Sequence, residues 1–168
     1  MTGPSLLSVA LASFNGERYI AEQLESIARQ HRLPDELVIS DDASTDSTTD
    51  IVLKFARHAP FPVRLLQNTE RLGSTRNFQT AIGACNGGII FLCDQDDAWY
   101  PNKIGLIEAG FIENPNAGAI FTNADVVDEN LNPYGLRLWE AFKFNSKEQA
   151  QVNGCDALEV LFKHPVVT

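Results

Sequence analysis

Three carboxylates, Asp94, Asp96 and Asp97, follow directly on the five apolar residues Ile89 to Cys93. The apolar run, preceded by Gly87 and Gly88, predicts a buried central strand that ends in acid. In open α/β sheets, ligands sit at the carboxyl ends of the strands. Two carboxylates about 4 Å apart repel by roughly 4 kcal/mol at an effective dielectric near 20. A hard divalent cation removes that cost, and an all-oxygen donor set suits Mg or Mn. Asp94, Asp96 and Asp97 are therefore candidate metal ligands, and Trp99, Tyr100 and Pro101 predict a closed pocket rim. The plainer alternative is a solvated acidic turn.

A second acid pair, Asp41 and Asp42, closes another apolar run, Glu36 to Ser40. Two acid pairs on one sheet edge would bring their charges together, which suggests a division of labour. The first cluster can hold a metal on a diphosphate. Asp41 either accepts a hydrogen bond from a pyrimidine base N–H or caps its own loop. Asp42 reads as a turn cap, and Asp46 is a candidate for either role. Arg76, near the start of a predicted helix, could meet phosphate or base, since a helix amino end favours anions; its plain reading is a surface charge. Asn77 could tie loops together, while Glu17, Arg18 and Arg71 could equally be solvated.

Several chemistries are excluded by type or spacing. His31, His58 and His164 are scattered, and Ser13 and Ser44 lack a nucleophile-elbow context, so serine hydrolysis has no support. No GxGxxG or GxxxxGK[ST] pattern occurs. Ala98 stands where a calcium-binding loop needs its third acid. The acid motif follows the fourth strand, whereas aspartate phosphatases and phospho-receiver domains place theirs after the first.

Positioning such residues needs alternating strands and helices. Ser5–Phe14 predicts the first strand, and Ile20, Leu24, Ile27 and Ala28 form one apolar helical stripe. Glu36–Ser40 is the second strand. Ser47 stands three residues before Asp50, a capping-box spacing, and the helix it opens turns Ile51, Val52, Phe55 and Ala56 inward. Val63–Gln67 is the third strand. Gly73 opens a helix with Phe78, Ala81, Ile82 and Cys85 on one face. After the acid-ended strand come a helix over 102–112 and a fifth strand over 117–123. A turn at 130–135 joins a hairpin, 139–144 has no clear period, and 154–163 reads as a helix. The economical architecture is a mostly parallel sheet with helices on both faces.

With 168 residues, 44% of them hydrophobic, the chain can bury a core of its own. A net charge of -9 argues against a nucleic-acid backbone binder. Cys85, Cys93 and Cys155 form no CxxC pair and read as small core residues in a reducing compartment. Leu6–Phe14 is too short for a membrane span and has no basic residue before it.

Together, the segments 11–16, 39–46, 72–73, 77–78 and 91–99 resemble the family-2 glycosyltransferases of the GT-A fold. Residues 15–19, Glu22-Gln23-Leu24 and the Asp-Gln-Asp-Asp-x-Trp run at 94–99 look most like its bacterial rhamnosyltransferase-type members. The resemblance implies an α/β, Rossmann-like, mostly parallel sheet flanked by helices and truncated at its carboxyl end. It implies one glycosyltransferase domain over 1–168, with a nucleotide-sugar-binding half at 1–125 and the incomplete start of an acceptor half at 126–168.

By the same resemblance, Ala12, Ser13 and Phe14 would line the nucleotide site, Glu17 would lie near base or ribose, and Asp41 would bond the pyrimidine. Arg76 and Asp94 would join them. Asp96 and Asp97 would be the catalytic acids meeting Mn or Mg on the donor diphosphate. The implied reaction is inverting transfer of a sugar, rhamnose among the candidates. The donor would be a UDP- or dTDP-sugar, and the acceptor a saccharide or lipid-linked saccharide in cell-surface polysaccharide synthesis. That chemistry belongs on the cytoplasmic side, peripheral to the membrane. The general base is expected beyond Thr168, with Asp125 and Asp128 poor substitutes. Two alternatives stand beside this reading: a non-catalytic nucleotide-sugar-binding module, and a sugar nucleotidyltransferase.

Overall fold

A computed structural model describes residues 6–153. The predicted helix over 154–163, the strand-like end at 164–168, Ser5, Cys155 and His164 lie outside the described residues. The described residues fall into two compact units, divided between Ala117 and Gly118.

The first unit is built on β1 (Leu7–Ser13), in which every residue is buried. Around it run α1 (Ile20–Ala28), β2 (Glu36–Asp41), α2 (Thr48–Ala56), β3 (Val63–Gln67), α3 (Ser74–Ala84), β4 (Ile89–Asp94) and α4 (Lys103–Glu113). The sheet order is β3-β2-β1-β4, and all three pairings are parallel. Among the described residues, the apolar run over 89–93 thus forms an edge of this sheet rather than its centre. Its Phe91 and Cys93 are buried on one side, while Leu92 is 41% exposed on the other. β1 takes the centre because it alone pairs with both β2 and β4.

This order creates a topological switch. From β1 the chain steps to β2 and then β3 in one direction, and it returns past β1 to lay down β4 on the other side. Right-handed crossovers then put α1 and α2 on one face and α3 on the other. The crevice opens between the carboxyl ends of β1 and β4, where doubly wound sheets bind ligands.

At the opposite, amino end, Gly87 allows a close approach. Ser8 Oγ donates to Glu36 Oε1 at 2.6 Å and accepts from the Gly87 amide at 2.8 Å. A Cβ at Gly87 would stand 2.6 Å from the Leu6 carbonyl oxygen and 2.7 Å from the Ser8 nitrogen. These are backbone atoms that cannot swing aside. Gly87→Ala is expected to cost about 2 kcal/mol, as overpacking of a tight site does. Urea denaturation should read this as a lower midpoint at unchanged slope; an unchanged midpoint would contradict it.

Two helix expectations are corrected. Ser47 makes no side-chain capping bond to α2. The Asp46 carboxylate accepts from the Thr48 amide at 3.0 Å instead, and Glu17 accepts from the Ser47 amide at 3.0 Å. A carboxylate arriving from another loop outcompetes the local hydroxyl, as charge-assisted bonds do. On α3 the buried residues are Asn77 and Ala81, while Ile82 is exposed. The face turned to the sheet is therefore partly polar.

In the second unit, the run at 117–123 does not form the expected strand. Strand bonding starts later, at β5 (Asp125–Val127), which pairs antiparallel with β6 (Pro133–Arg137) as the predicted hairpin. An extended apolar run becomes a strand only where a neighbour takes up its backbone groups. Two short helices follow, α5 (Leu138–Ala141) and α6 (Ser146–Val152). The stretch without period resolves into a ring pair: Trp139 and Phe144 meet edge to face at 5.3 Å, with Val152 packed on them.

Candidate functional site

The loops at the carboxyl ends of β1, β2 and β4 are held by polar side chains that form three clamps. Asp42, 2% exposed, accepts from the backbone amides of Leu72 at 2.7 Å and Gly73 at 2.9 Å, and from Asn68 Nδ2 at 3.1 Å. Burial pushes its carboxyl up, but those bonds outweigh burial and hold it below the ordinary carboxylate range. Asn77 donates to the Ser13 carbonyl at 3.1 Å and accepts from Asn68. Asp42 is thus the turn cap its sequence suggested, and Asn77 the loop tie.

Asp41, 1% exposed, accepts from the Ser13 hydroxyl at 2.9 Å and from the Ser44 hydroxyl at 2.6 Å, both at Oδ1. Its Oδ2 accepts the Ser44 amide at 2.9 Å. A carboxylate has about four acceptor positions, so one on Oδ2 is left over. The loops after β1 and β2 are then zipped together. Asn15 donates its amide to Ser44 Oγ and accepts from the Thr45 amide, each at 2.9 Å, and Gly16 donates to Thr48 Oγ1 at 2.7 Å. Asn15 and Ala43 both take left-handed backbone, with φ of 45° and 59°. That geometry is ordinary for Asn and unusual for Ala.

The third clamp crosses the crevice. Gln95, between Asp94 and Asp96, accepts from the Phe14 amide at 2.9 Å and donates to the Phe14 carbonyl at 3.1 Å. The side-chain amide imitates one rung of a strand ladder. A Cβ at Gly16 would overlap the Gln95 carboxamide, so any larger residue there would displace it.

The acids stand beside that rung. Asp94 and Asp96 are exposed and Asp97 is half-buried. Desolvation and then the neighbouring Asp96 charge push the Asp94 carboxyl up. Desolvation and then Asp94 push up Asp97, against the opposing pull of Lys103. Lys103 lies 4.5 Å over the Trp99 ring, and burial lowers its own pKa against the attraction of Asp97. Among the described residues, no group of three or more His, Cys, Asp or Glu forms a ready cage for an ion.

Two buried glutamines, Gln23 of α1 and Gln30 just after it, hold the loop from below. With its amide turned to match the donors and acceptors around it, Gln23 donates to the Asp97 carbonyl at 2.7 Å and to Ser26 Oγ at 2.9 Å, and its oxygen accepts from Trp99 Nε1 at 3.2 Å. Gln30 donates to the Tyr100 carbonyl at 2.7 Å and accepts from the Ile104 amide at 3.1 Å. Of the predicted rim, the Trp99 side chain is buried and that of Tyr100 exposed.

The remaining sequence candidates divide. Ala12 and Ser13 are buried inside the sheet, and Phe14 is the one of the three with surface to offer. Its ring carries Arg71, whose guanidinium carbon is 4.0 Å from the centroid. Glu17 and Arg76 are exposed. Asp125, in the other unit, pairs with Arg137 at 3.3 Å, and the Asp128 carboxylate accepts from the Asn130 and Asn132 amides of its own turn.

Sequence reasoning missed Gln95, Gln23, Gln30 and Lys103. Gln23 stands on the apolar stripe with Ile20, Leu24 and Ile27, and Gln30 is buried just past the helix end, where a polar residue must find partners. Lys103 opens a helix at the end that repels cations, which points to a nearby acid.

The family model described as Glycosyl transferase family 2 matches residues 8–160. The chain belongs to glycosyltransferase family 2. This family-2 chain is 34% identical over 128 residues to the dTDP-rhamnosyl transferase RfbG of Shigella flexneri, covering 74% of the chain and 42% of that protein. Among solved structures, the mannosyltransferase PcManGT from Pyrobaculum calidifontis, in complex with GDP-Man and Mn2+, matches at 27% identity and a TM-score of 0.58. That match covers 76% of this chain and 37% of the other. The S. aureus TarS 1-349 structure matches at 26% identity and a TM-score of 0.60, covering 77% and 43%. The GT-A fold expected from the motifs is therefore borne out. The chain spans about two fifths of each of these proteins.

Proposed function

We propose that this family-2 chain supplies the donor-binding half of an inverting glycosyltransferase. Its donor is a UDP- or dTDP-sugar, and its acceptor a saccharide or lipid-linked saccharide in cell-surface polysaccharide synthesis. The observation that carries this reading is the crevice at the β1/β4 switch, with a closed polar loop on one side and acids on the other. Phe14 and the spare acceptor position on Asp41 Oδ2 receive the base, with Glu17 beside the ribose. Arg76 and Arg71 face the negative donor from the loop side.

Asp94, Asp96 and Asp97 suit Mn or Mg, because their oxygens are hard donors and mutual repulsion leaves them in want of positive charge. Two carboxylates would leave coordination positions for diphosphate oxygens and water. When bound, such a cation supplies Lewis-acid stabilisation of the departing diphosphate. In the transfer, the acceptor oxygen bonds to the anomeric carbon on the face opposite the diphosphate. The bond to the diphosphate oxygen breaks, and a base takes the hydroxyl proton. A dTDP-sugar gains support from the relative named a dTDP-rhamnosyl transferase, and the cation from the neighbour solved with Mn2+. The site belongs on the cytoplasmic side, where activated sugars are made. Among the described residues no helix is long and apolar enough to cross a membrane.

The test is calorimetric titration of UDP and dTDP, with and without Mn, into the chain and into Asp96→Ala. Metal-dependent binding is expected in the first and its loss, about tenfold or more, in the second. No binding of either nucleotide to folded protein would sink the reading. A second reading, a nucleotide-sugar-binding module without transfer, is favoured by one observation. Asp125 is ion-paired and Asp128 is consumed by its turn, so neither offers itself as a base. Sugar transfer catalysed by residues 1–168 alone would eliminate that second reading.

A further inference from the structure

We propose that Gln95 is a positioning residue that couples nucleotide binding to cation binding across the crevice. The inference rests on the donor-site reading above. Asp94, Asp96 and Asp97 are one arm of the site, and the loop Phe14–Gly16 is the other. They belong to neighbouring strands whose ladder ends at Ala12 and Asp94. Beyond that point the backbones no longer bond to one another. Both polar groups of the Gln95 side chain go instead to both polar groups of the Phe14 peptide unit, at 2.9 and 3.1 Å.

A doubly bonded amide fixes position and rotation together, where a single bond would leave a hinge. Gln95 is flanked on both sides by acids, so any shift of the acid turn moves the carboxamide and with it Phe14. A base resting on Phe14 and a cation on the acids then each favour the same placement of the rung, and each binds better once the other has fixed it. The Gly16 backbone is bare where the carboxamide passes, so the two loops carry complementary shapes for this one contact. Its energetic worth to the fold is modest, since two neutral hydrogen bonds contribute about 1 kcal/mol each. Its worth to the site is geometric.

The experiment measures the ratio of UDP affinities with and without Mn, by calorimetry, in the unmodified chain and three variants, each first checked by thermal melting. Gln95→Met keeps the bulk of the side chain and removes both bonds. Gly16→Ala leaves Gln95 in place and displaces its carboxamide. Gly87→Ala, at the far end of the sheet, lowers stability without touching the crevice. The unmodified chain is expected to gain about tenfold in UDP affinity from Mn. That gain should shrink by about threefold in Gln95→Met and Gly16→Ala, the direct contact of cation with diphosphate supplying the rest, and persist in full in Gly87→Ala. A merely structural role would lower the melting temperature and leave the ratio alone. Retention of the full gain in folded Gln95→Met overturns the inference and leaves the donor site standing. UDP binding that is indifferent to Mn in the unmodified chain also overturns it. Absence of any UDP or dTDP binding takes down the donor-site reading and this inference together.

Discussion

Asp42→Ala is expected to cost about 3 kcal/mol of folding free energy, read as a lower urea midpoint at neutral pH. The carboxylate is buried and serves two backbone amides and one side-chain amide. Truncation orphans all three donors, and each costs about 1–3 kcal/mol unless water reaches it. Water entering the vacated space lowers the sum, which is why the figure sits well under three full penalties. Against a total stability of about 5–15 kcal/mol this is a large fraction. Asp42→Asn should recover part of the loss, because its oxygen can keep the Leu72 amide and Asn68 while its NH2 group would face the Gly73 amide. A loss below about 0.5 kcal/mol, the range of ordinary surface changes, would refute the clamp.

The same carboxylate sets an acid limit. Its native pKa is held below the unfolded value near 4, as are those of Asp35, Glu36 and Asp46. Their stabilisation is therefore complete above about pH 4 and is lost as pH falls through the depressed native values.

Asp94→Asn should act with two opposite signs. Without metal, the variant is expected to be more stable than the unmodified chain, by a few tenths of a kcal/mol after discounting for solvent screening. Its melting temperature should rise by about 1 °C. In the nucleotide titration it should lose about tenfold or more of the Mn-dependent gain. The cause is that native Asp94 and Asp97 have carboxyls pushed above the ordinary value by desolvation and by their acidic neighbours. A raised native pKa means the ionised form strains the fold at neutral pH, and the strain is relieved as pH falls through that value. The unmodified chain should therefore be most stable between neutrality and about pH 4, and saturating Mn should flatten that rise. A variant less stable at pH 7 without metal, yet still Mn-responsive, would refute the assignment.

The sequence revealed those parts whose signal is local. Apolar runs ending in acid located β2 and β4, and the turn at 130–135 located the hairpin. What it did not reveal depends on partners distant along the chain. The run 89–93 looked central because period alone cannot distinguish a middle strand from an edge strand whose buried face is half apolar. Residues 117–123 had strand composition but no pairing partner among the described residues. Ser47 had capping spacing, but Glu17 and Asp46 took the work. Gln95 was hidden by neutrality: between three acids a carboxamide reads as filler until Phe14 is placed opposite it.

The clamps also bear on how the molecule is assembled. Phe14 and Gln95 are 81 residues apart in sequence, and Asp42 and Gly73 are 31 apart. Each is a long loop to close, and its entropy must be spent before any of these bonds forms. A chain with only β1, β2 and β3 in place would have the Asp41 and Asp42 clamps but no rung across the crevice. On the proposed donor-site reading, capture of a nucleotide between Phe14 and the acids waits for β4, the last of the four described strands of the sheet in chain order. Partly folded chains, whether emerging from synthesis or opened locally, would hold activated sugar poorly. On that reading, the far side of the crevice makes donor binding depend on the arrival of β4.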